Sequence, residues 1–188
     1  MTNSTTSSAQ LFTERAEQFS SILDAAGGRW DAPSPCEGWA VRDVVGHVIE
    51  TERDFLQRHD LLDSPVPSLT DPAAAFRTHA ADVVGVLGRD GVADRAYDGF
   101  FGPTSIGATL AEFYGWDLVI HGWDVARATG QDWSISEAEA LALGADADGW
   151  GDALYGEGIC AGPVPVPDDA PAQDRLLGRL GRDPGWRP

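Results

Sequence analysis

The chain has 188 residues, 43% of them hydrophobic, and a formal charge of −17, with all thirteen basic residues arginines. That length suits one domain with an appended tail, and the apolar content argues against disorder of the whole chain. So acidic a surface repels nucleic acid and anionic membranes, which counts against both as partners; otherwise it reads as a solvated face that keeps the protein soluble.

Residues 1–8, from Met1 to Ser8, are polar and expected to be disordered. They lack the basic and apolar regions of a signal peptide, and no later apolar run approaches the ~18 residues of a membrane span. The protein is therefore expected in the cytoplasm. Residues 9–188 are expected to form a single domain that includes a C-terminal extension. Two cysteines as distant as Cys36 and Cys160 do not make a disulfide framework, and free thiols are expected.

The spacing of Leu11, Phe12, Ala16, Phe19, Ile22, Leu23 and Ala26 predicts a first helix over Ala9–Ala26, ended by Gly27-Gly28. A loop with two prolines and two tryptophans follows, through Trp39, and its rigid and aromatic residues suggest packing against the body. A second helix is predicted over Val41–His59, with Val41, Val44, Val45, Val48, Glu52 and Phe55 in its apolar stripe. His47 lies roughly 130° from the centre of that stripe. It faces either solvent or a cavity between helices. Asp71 as N-cap and Pro72 at the first position begin a third helix, Pro72–Leu87. Arg95–Thr104 reads as irregular, with room for a short extended piece.

The central helix is predicted over Thr109–Thr129 and begins near Ile106 to Ala108. At 100° per residue Leu110, Phe113, Tyr114, Val125 and Ala128 share a face, with Asp117 and His121 at its centre one turn apart. Trp116 and Trp123 lie on another face, so this helix is expected to be surrounded. Ser136-Glu137-Ala138-Glu139 matches a capping box and begins a fifth helix reaching about Leu154, weakened by its glycines. Gly158–Pro171 is too rich in proline for a helix, and its Val164-Pro165-Val166-Pro167 reads as extended. A short helix, Ala172–Leu180, precedes the tail.

A carboxylate and an imidazole in an apolar stripe are costly to bury unless paired or bound. Asp117 and His121 at i and i+4 are either a hydrogen-bonded pair or two ligands offered to one metal. Asp124, one turn beyond His121, could accept from an imidazole N–H or pair with an arginine such as Arg42 or Arg127. His59, at a helix C-terminus, complements the helix dipole. His79 follows an apolar spacing and reads as a packed residue, with ligation as the alternative. Cys36 is a small buried residue, with a nucleophile or ligand as the alternative. No Gly-rich phosphate loop, CxxC or G-x-S-x-G is present, so ATP, nicotinamide and flavin chemistry have no support.

The segment Pro35-Cys36-Glu37-Gly38-Trp39-Ala40-Val41-Arg42-Asp43-Val44-Val45-Gly46-His47 resembles the PC-x-GW-(T/S)-V-x-D-(L/V)-x-x-H motif of the mycothiol-dependent maleylpyruvate isomerase N-terminal family, within the DinB-like metalloprotein superfamily. Asp117-Leu118-Val119-Ile120-His121-Gly122-Trp123-Asp124 resembles its second motif, (E/D)-x-x-x-H-x-W-D. The tail from Val164 to Pro184 is similar to that of an uncharacterised actinobacterial branch. The resemblance implies an all-α, DinB-like four-helix bundle with an irregular Pro-rich C-terminal segment and a short terminal helix. It places a divalent metal on His47, Asp117 and His121, with Asp124 supporting a ligand imidazole. Two histidines and a carboxylate leave a coordination position open, as in catalytic zinc sites; nickel or iron would also accept them.

The implied activity is that of a metal-dependent transferase or isomerase using a low-molecular-weight thiol such as mycothiol, with a small electrophile as second substrate. The alternative is a metal- or ligand-binding protein of the same fold without turnover. The resemblance is also compatible with a homodimer. The sequence departs from the pattern at Ala40, where a capping Ser or Thr is expected, and at Asp117, where the isomerase has the longer Glu. It also lacks the isomerase's additional C-terminal domain, so maleylpyruvate is not the expected substrate.

Overall fold

A computed structural model describes residues 6–100, 102–156 and 159–188. Met1–Thr5, the larger part of the segment expected to be disordered, lie outside the described residues; Ser7 and Ser8 already belong to the first helix and its cap.

Helix α1 (Ser8–Asp24) begins where the Ser7 hydroxyl accepts from the Gln10 N–H at 3.2 Å. It buries Phe12, Ala16, Phe19, Ile22 and Leu23 along one stripe. Gly27 and Gly28, at φ 61° and 77°, then turn the chain through the left-handed region that glycine enters without steric cost.

Helix α2 (Val41–Arg58) starts at the expected residue although Ala40 offers no capping side chain. Two substitutes explain this. The Asp43 carboxylate accepts from the Ala40 N–H at 2.9 Å, and the preceding loop supplies carbonyls to the first free amides: Ala32 O to Val41 N–H at 3.0 Å and Trp30 O to Arg42 N–H at 2.9 Å. The loop is therefore fastened to the helix start, as its aromatic and rigid composition suggested. Helix α3 (Pro72–Leu87) has the predicted bounds, capped by Asp71, which accepts from Ala74 N–H at 3.1 Å.

The stretch read as irregular contains a two-stranded antiparallel hairpin, β1 (Ala96–Gly99) and β2 (Gly102–Ser105), with Ala96 opposite Ser105. Four-residue strands, one carrying Pro103, leave little alternation to detect. The central helix then runs in three parts: α4 (Ile106–Ala108), a π-helical segment (Thr109–Tyr114) and α5 (Gly115–Ala128). A π turn inserts about one extra residue, so the helix before Gly115 is rotated by roughly 100° relative to an unbroken α-helix. Leu110, Tyr114, Val125 and Ala128 nonetheless belong to one core cluster, with Phe113 packed against it. Asp117, His121 and Asp124 all lie within α5 and keep their mutual spacing.

Helix α1 packs on α3 and α5, and α2 packs on the same two, so α1/α2 and α3/α5 are the diagonals of a four-helix bundle. Phe12, Phe19, Ile49, Leu56, Phe76, Leu110 and Leu118 fill its core. Such full burial of a Leu or Phe side chain contributes about 1.5–3 kcal/mol. The other side of α5 buries Trp116, Ile120 and Trp123 against α6 (Glu137–Trp150) and α7 (Ala172–Arg179), with Leu143, Leu176 and Leu177. The central helix is enclosed on both sides, as its two apolar faces require. Ser136 caps α6, accepting from Glu139 N–H at 3.2 Å, and a 3-10 turn (Gly151–Tyr155) ends it. Gly158, the first residue of the proline-rich segment, lies outside the described residues. Residues 159–171 are irregular and run beside α7, where Val164 N–H donates to Gly178 O at 2.7 Å. Among the described residues no helix is long and apolar enough to cross a membrane.

Candidate metal centre

The α2–α5 contact brings together the three side chains named from the motifs. His47 Nε2 lies 3.9 Å from Asp117 Oδ2, and His121 Nε2 lies 3.4 Å from Asp117 Oδ1. One donor atom from each residue falls within 4.8 Å of the other two. Donors about 2.0–2.1 Å from a tetrahedral zinc ion are separated by roughly 3.4 Å. The observed distances match or slightly exceed that value, so the donor set could hold a metal after a small closure. His47 and Asp117 are partly open, with 28% and 27% of their side chains exposed, while His121 is buried at 6%. The side open to solvent is where a ligand would approach.

The orientation of His121 supports ligation through Nε2. Its Nδ1 lies 2.9 Å from Asp124 Oδ2, so a proton on Nδ1 leaves the Nε2 lone pair facing Asp117 and His47. Asp124 is fully buried and bidentate to Arg182, with Nη2 at 2.9 Å and Nε at 3.3 Å. Cys36 Sγ also donates to Asp124 Oδ2, at 3.2 Å, and lies 3.6 Å from Arg182 Nη2. Trp39 packs over both imidazoles, its ring 4.9 Å from His47 and 6.4 Å, near parallel, from His121.

Cys36, His121 and Asp124 form a second cluster of potential ligand atoms. The Arg182 guanidinium already occupies it as the counter-charge to Asp124, and a cation there would be added beside a fixed positive charge. Among the described residues no arginine bonds to His47, Asp117 or His121, so this cluster could hold a cation without a fixed positive charge paired to it.

The electrostatics follow from burial and these partners. Burial alone would lower the His121 pKa, but Asp117 and the hydrogen bond to Asp124 outweigh it and hold it well above the usual histidine value without a metal. Burial lowers the His47 pKa, and Asp117 only partly restores it. For Asp124, burial would raise the pKa, but Arg182 and His121 reverse the sign and keep the carboxylate charged.

The other residues singled out in the sequence lie elsewhere. The arginine expected beside Asp124 is neither Arg42, which pairs with Asp31 at 2.7 Å, nor Arg127, which lies over the Trp123 ring at 5.2 Å. Arg182 was missed because it is distant in sequence and lies in a tail with no periodicity. His79 is fully buried and bonds to Glu52 at 2.8 Å, belonging to neither ligand cluster; Glu52, in the α2 stripe, was the available signal for that pair. His59 caps α2 and also packs against Phe55 and Tyr97, at 4.8 and 4.5 Å. Both cysteines are free, and Cys36 is half-buried with polar partners that nothing around it in sequence announced.

Residues 12–126 match the family described as the mycothiol maleylpyruvate isomerase N-terminal domain. The chain belongs to this family. The match spans α1 through nearly all of α5 and includes His47, Asp117, His121 and Asp124, while α6, α7 and Arg182 fall outside it. Two uncharacterized proteins of Mycobacterium tuberculosis are each 28% identical over 173 residues, covering 85% of this chain and 86% of their own length. Their alignment therefore extends well beyond the isomerase-family segment. No solved structure matches the chain.

Proposed function

We propose that the protein is a metal-dependent enzyme of low-molecular-weight thiols, a mycothiol-type transferase or isomerase, with His47, Asp117 and His121 as ligands to zinc, or to nickel or iron. One observation carries the reading: three donor atoms from two helices converge within 4.8 Å, while the remaining nitrogen of one imidazole is held by a buried carboxylate. Membership of a family built around mycothiol chemistry supports the choice of thiol. A bound divalent metal would supply Lewis acidity that favours the thiolate at neutral pH.

The chain's own residues do the rest. Asp124 fixes the His121 tautomer, and Arg182 neutralises and aims Asp124. Trp39 covers the imidazole faces and limits water on that side. The exposed edge of His47 and Asp117 leaves room for the thiol and for a small electrophile.

The test begins with elemental analysis of protein purified without a histidine tag. About one metal per chain is expected, lost in His47→Ala and in His121→Ala. Mycothiol-dependent consumption of an electrophile should vanish with the metal. Consumption that persists unchanged in His121→Ala would refute the reading. Stoichiometric metal without turnover across a broad electrophile panel would replace it with a binding protein of the same fold.

A further inference from the structure

A cavity of about 790 Å³ opens between the C-terminal end of α2, the β1–β2 hairpin, the π-helical segment and α6, and none of the three candidate ligands lines it. Its walls include the rings of Phe55, His59, Tyr97, Phe113, Tyr114 and Trp150. They are already arranged edge to face, with His59 and Tyr97 at 4.5 Å and Phe113 and Trp150 at 5.4 Å. The size and lining are those of small-molecule sites, which span roughly 300–1,000 Å³ and are apolar with a few polar groups.

The charges at the wall narrow the occupant. Arg58, Asp98, Glu112 and Asp146 are the charged side chains among the lining residues. Burial, with Arg95 and Arg58 nearby, lowers the His59 pKa, so that ring adds no positive charge at neutral pH. Arg15 also acts on Glu112 and Asp146, and Arg95 on His59, so the surroundings are close to balanced in charge and offer an anion no cationic surplus to offset its desolvation, whereas a neutral or cationic ring system gains stacking or cation–π contacts. The Tyr114 hydroxyl, kept protonated by burial, is available as a donor.

Two further features separate this cavity from a packing defect. The π-helical segment Thr109–Tyr114 forms one wall, and π turns inside α-helices occur often at functional sites. That turn aims Phe113 and Tyr114 into the cavity while Asp117, three residues after Tyr114, stays with His121. Tyr114 and Asp117 are thus ~4.5 Å apart along the helix axis. The opposite wall comes from α6 and Ile159, outside the segment that matches the isomerase family.

We propose that this cavity binds a flat, uncharged or cationic, largely aromatic small molecule, and that it holds the electrophile about one helical turn from Asp117 and about two from His47 and His121. The second clause rests on the thiol-transfer reading; the first does not.

The test uses N-phenyl-1-naphthylamine, a neutral two-ring fluorophore whose emission rises in apolar surroundings, titrated into metal-free protein. Saturable binding at one site per chain is expected. Gly149→Trp should weaken it by about tenfold or more, because a side chain at Gly149 meets open space and lies at the cavity wall. Ala145→Phe, on the same wall, serves the same purpose if Gly149→Trp fails to fold. The sulfonated relative 1-anilino-8-naphthalenesulfonate should bind at least about tenfold more weakly than the neutral probe.

Absence of saturation, unchanged affinity in a folded cavity-filled variant, or equal affinity for the sulfonate would overturn the cavity assignment. Neutral-probe binding with no metal and no thiol turnover would leave the cavity standing and remove only the thiol-transfer reading. Metal-dependent turnover with an unchanged KM for the electrophile in Gly149→Trp would leave the thiol-transfer reading standing and overturn the placement of the electrophile in this cavity.

Discussion

Replacing Arg182 with Met tests whether the C-terminal segment supports the metal centre. Met keeps an apolar stem and removes the guanidinium, so packing loss is kept small. Asp124, with none of its side chain exposed, then loses two hydrogen bonds, at 2.9 and 3.3 Å, and its principal counter-charge. Breaking one half of a buried ion pair costs about 3–5 kcal/mol. Because His121 and Cys36 still donate to Asp124, the lower end applies, about 3 kcal/mol. For a chain of this length that corresponds to a fall in Tm of about 6–12 °C. Urea unfolding of metal-free wild type, Arg182→Met, Asp124→Asn and the double variant measures it. The double variant should be more stable than the sum of the single losses by at least about 1 kcal/mol, because neither charge is then left alone. Zinc affinity of Arg182→Met should fall by about 10–100-fold through the loosened His121. Stability of Arg182→Met within about 0.5 kcal/mol of wild type, or strict additivity in the cycle, would refute the reasoning.

Metal affinity should depend on pH in a way set by His121. Its raised pKa means that the metal displaces a proton from it even above the ordinary histidine value of about 6.5. Zinc Kd measured by chelator competition should tighten continuously from about pH 6 to about pH 8; a plateau already at about pH 6.5 would contradict the Asp117–His121–Asp124 electrostatics. In the metal-free protein the same raised pKa contributes stability that is complete below about pH 6.5 and fades as pH rises through the folded-state value. His79→Leu should cost about 3 kcal/mol, because it strands Glu52, whose pKa burial already raises, and replacing both residues with apolar ones should recover most of it. Gly107→Ala should destabilise by about 1–3 kcal/mol, since a Cβ there would sit 2.8 Å from the Ala93 carbonyl; an unchanged thermal midpoint would show that the turn relaxes freely.

The helices were legible because their signals are local. Asp71-Pro72 marks the start of α3, and the Ser136 capping box marks that of α6. The spacing of Phe12, Phe19 and Leu23 marks the buried face of α1. The features that were not legible depend on contacts distant in sequence or on geometry that composition does not encode. The π segment leaves no periodicity of its own; it only breaks the phase of the one around it. The start of α2 holds without a capping side chain because carbonyls of Trp30 and Ala32 satisfy its amides, which requires the preceding loop to be folded back. Asp117 and His121 could be paired from their spacing alone, whereas spacing left His47 only a histidine on a helix flank; the motif resemblance joined it to them, and the facing of α2 and α5 gives the distances.

The metal-centre geometry separates into parts of different origin. The three candidate ligands and Asp124 all lie on α2 and α5, inside the segment that matches the isomerase family. Arg182, which balances Asp124, and the α6 wall of the aromatic cavity come from the chain beyond it. A buried aspartate touching the imidazole of a candidate ligand needs a counter-charge, since its desolvation is otherwise uncompensated. The segment after α5 therefore acts on the centre electrostatically through Arg182 and shapes the adjoining cavity through α6. Ligand chemistry can stay constant within such a scaffold while the C-terminal part changes what fits beside it. That division argues for probing residues 137–188 when seeking the second substrate and α2 and α5 when seeking the metal.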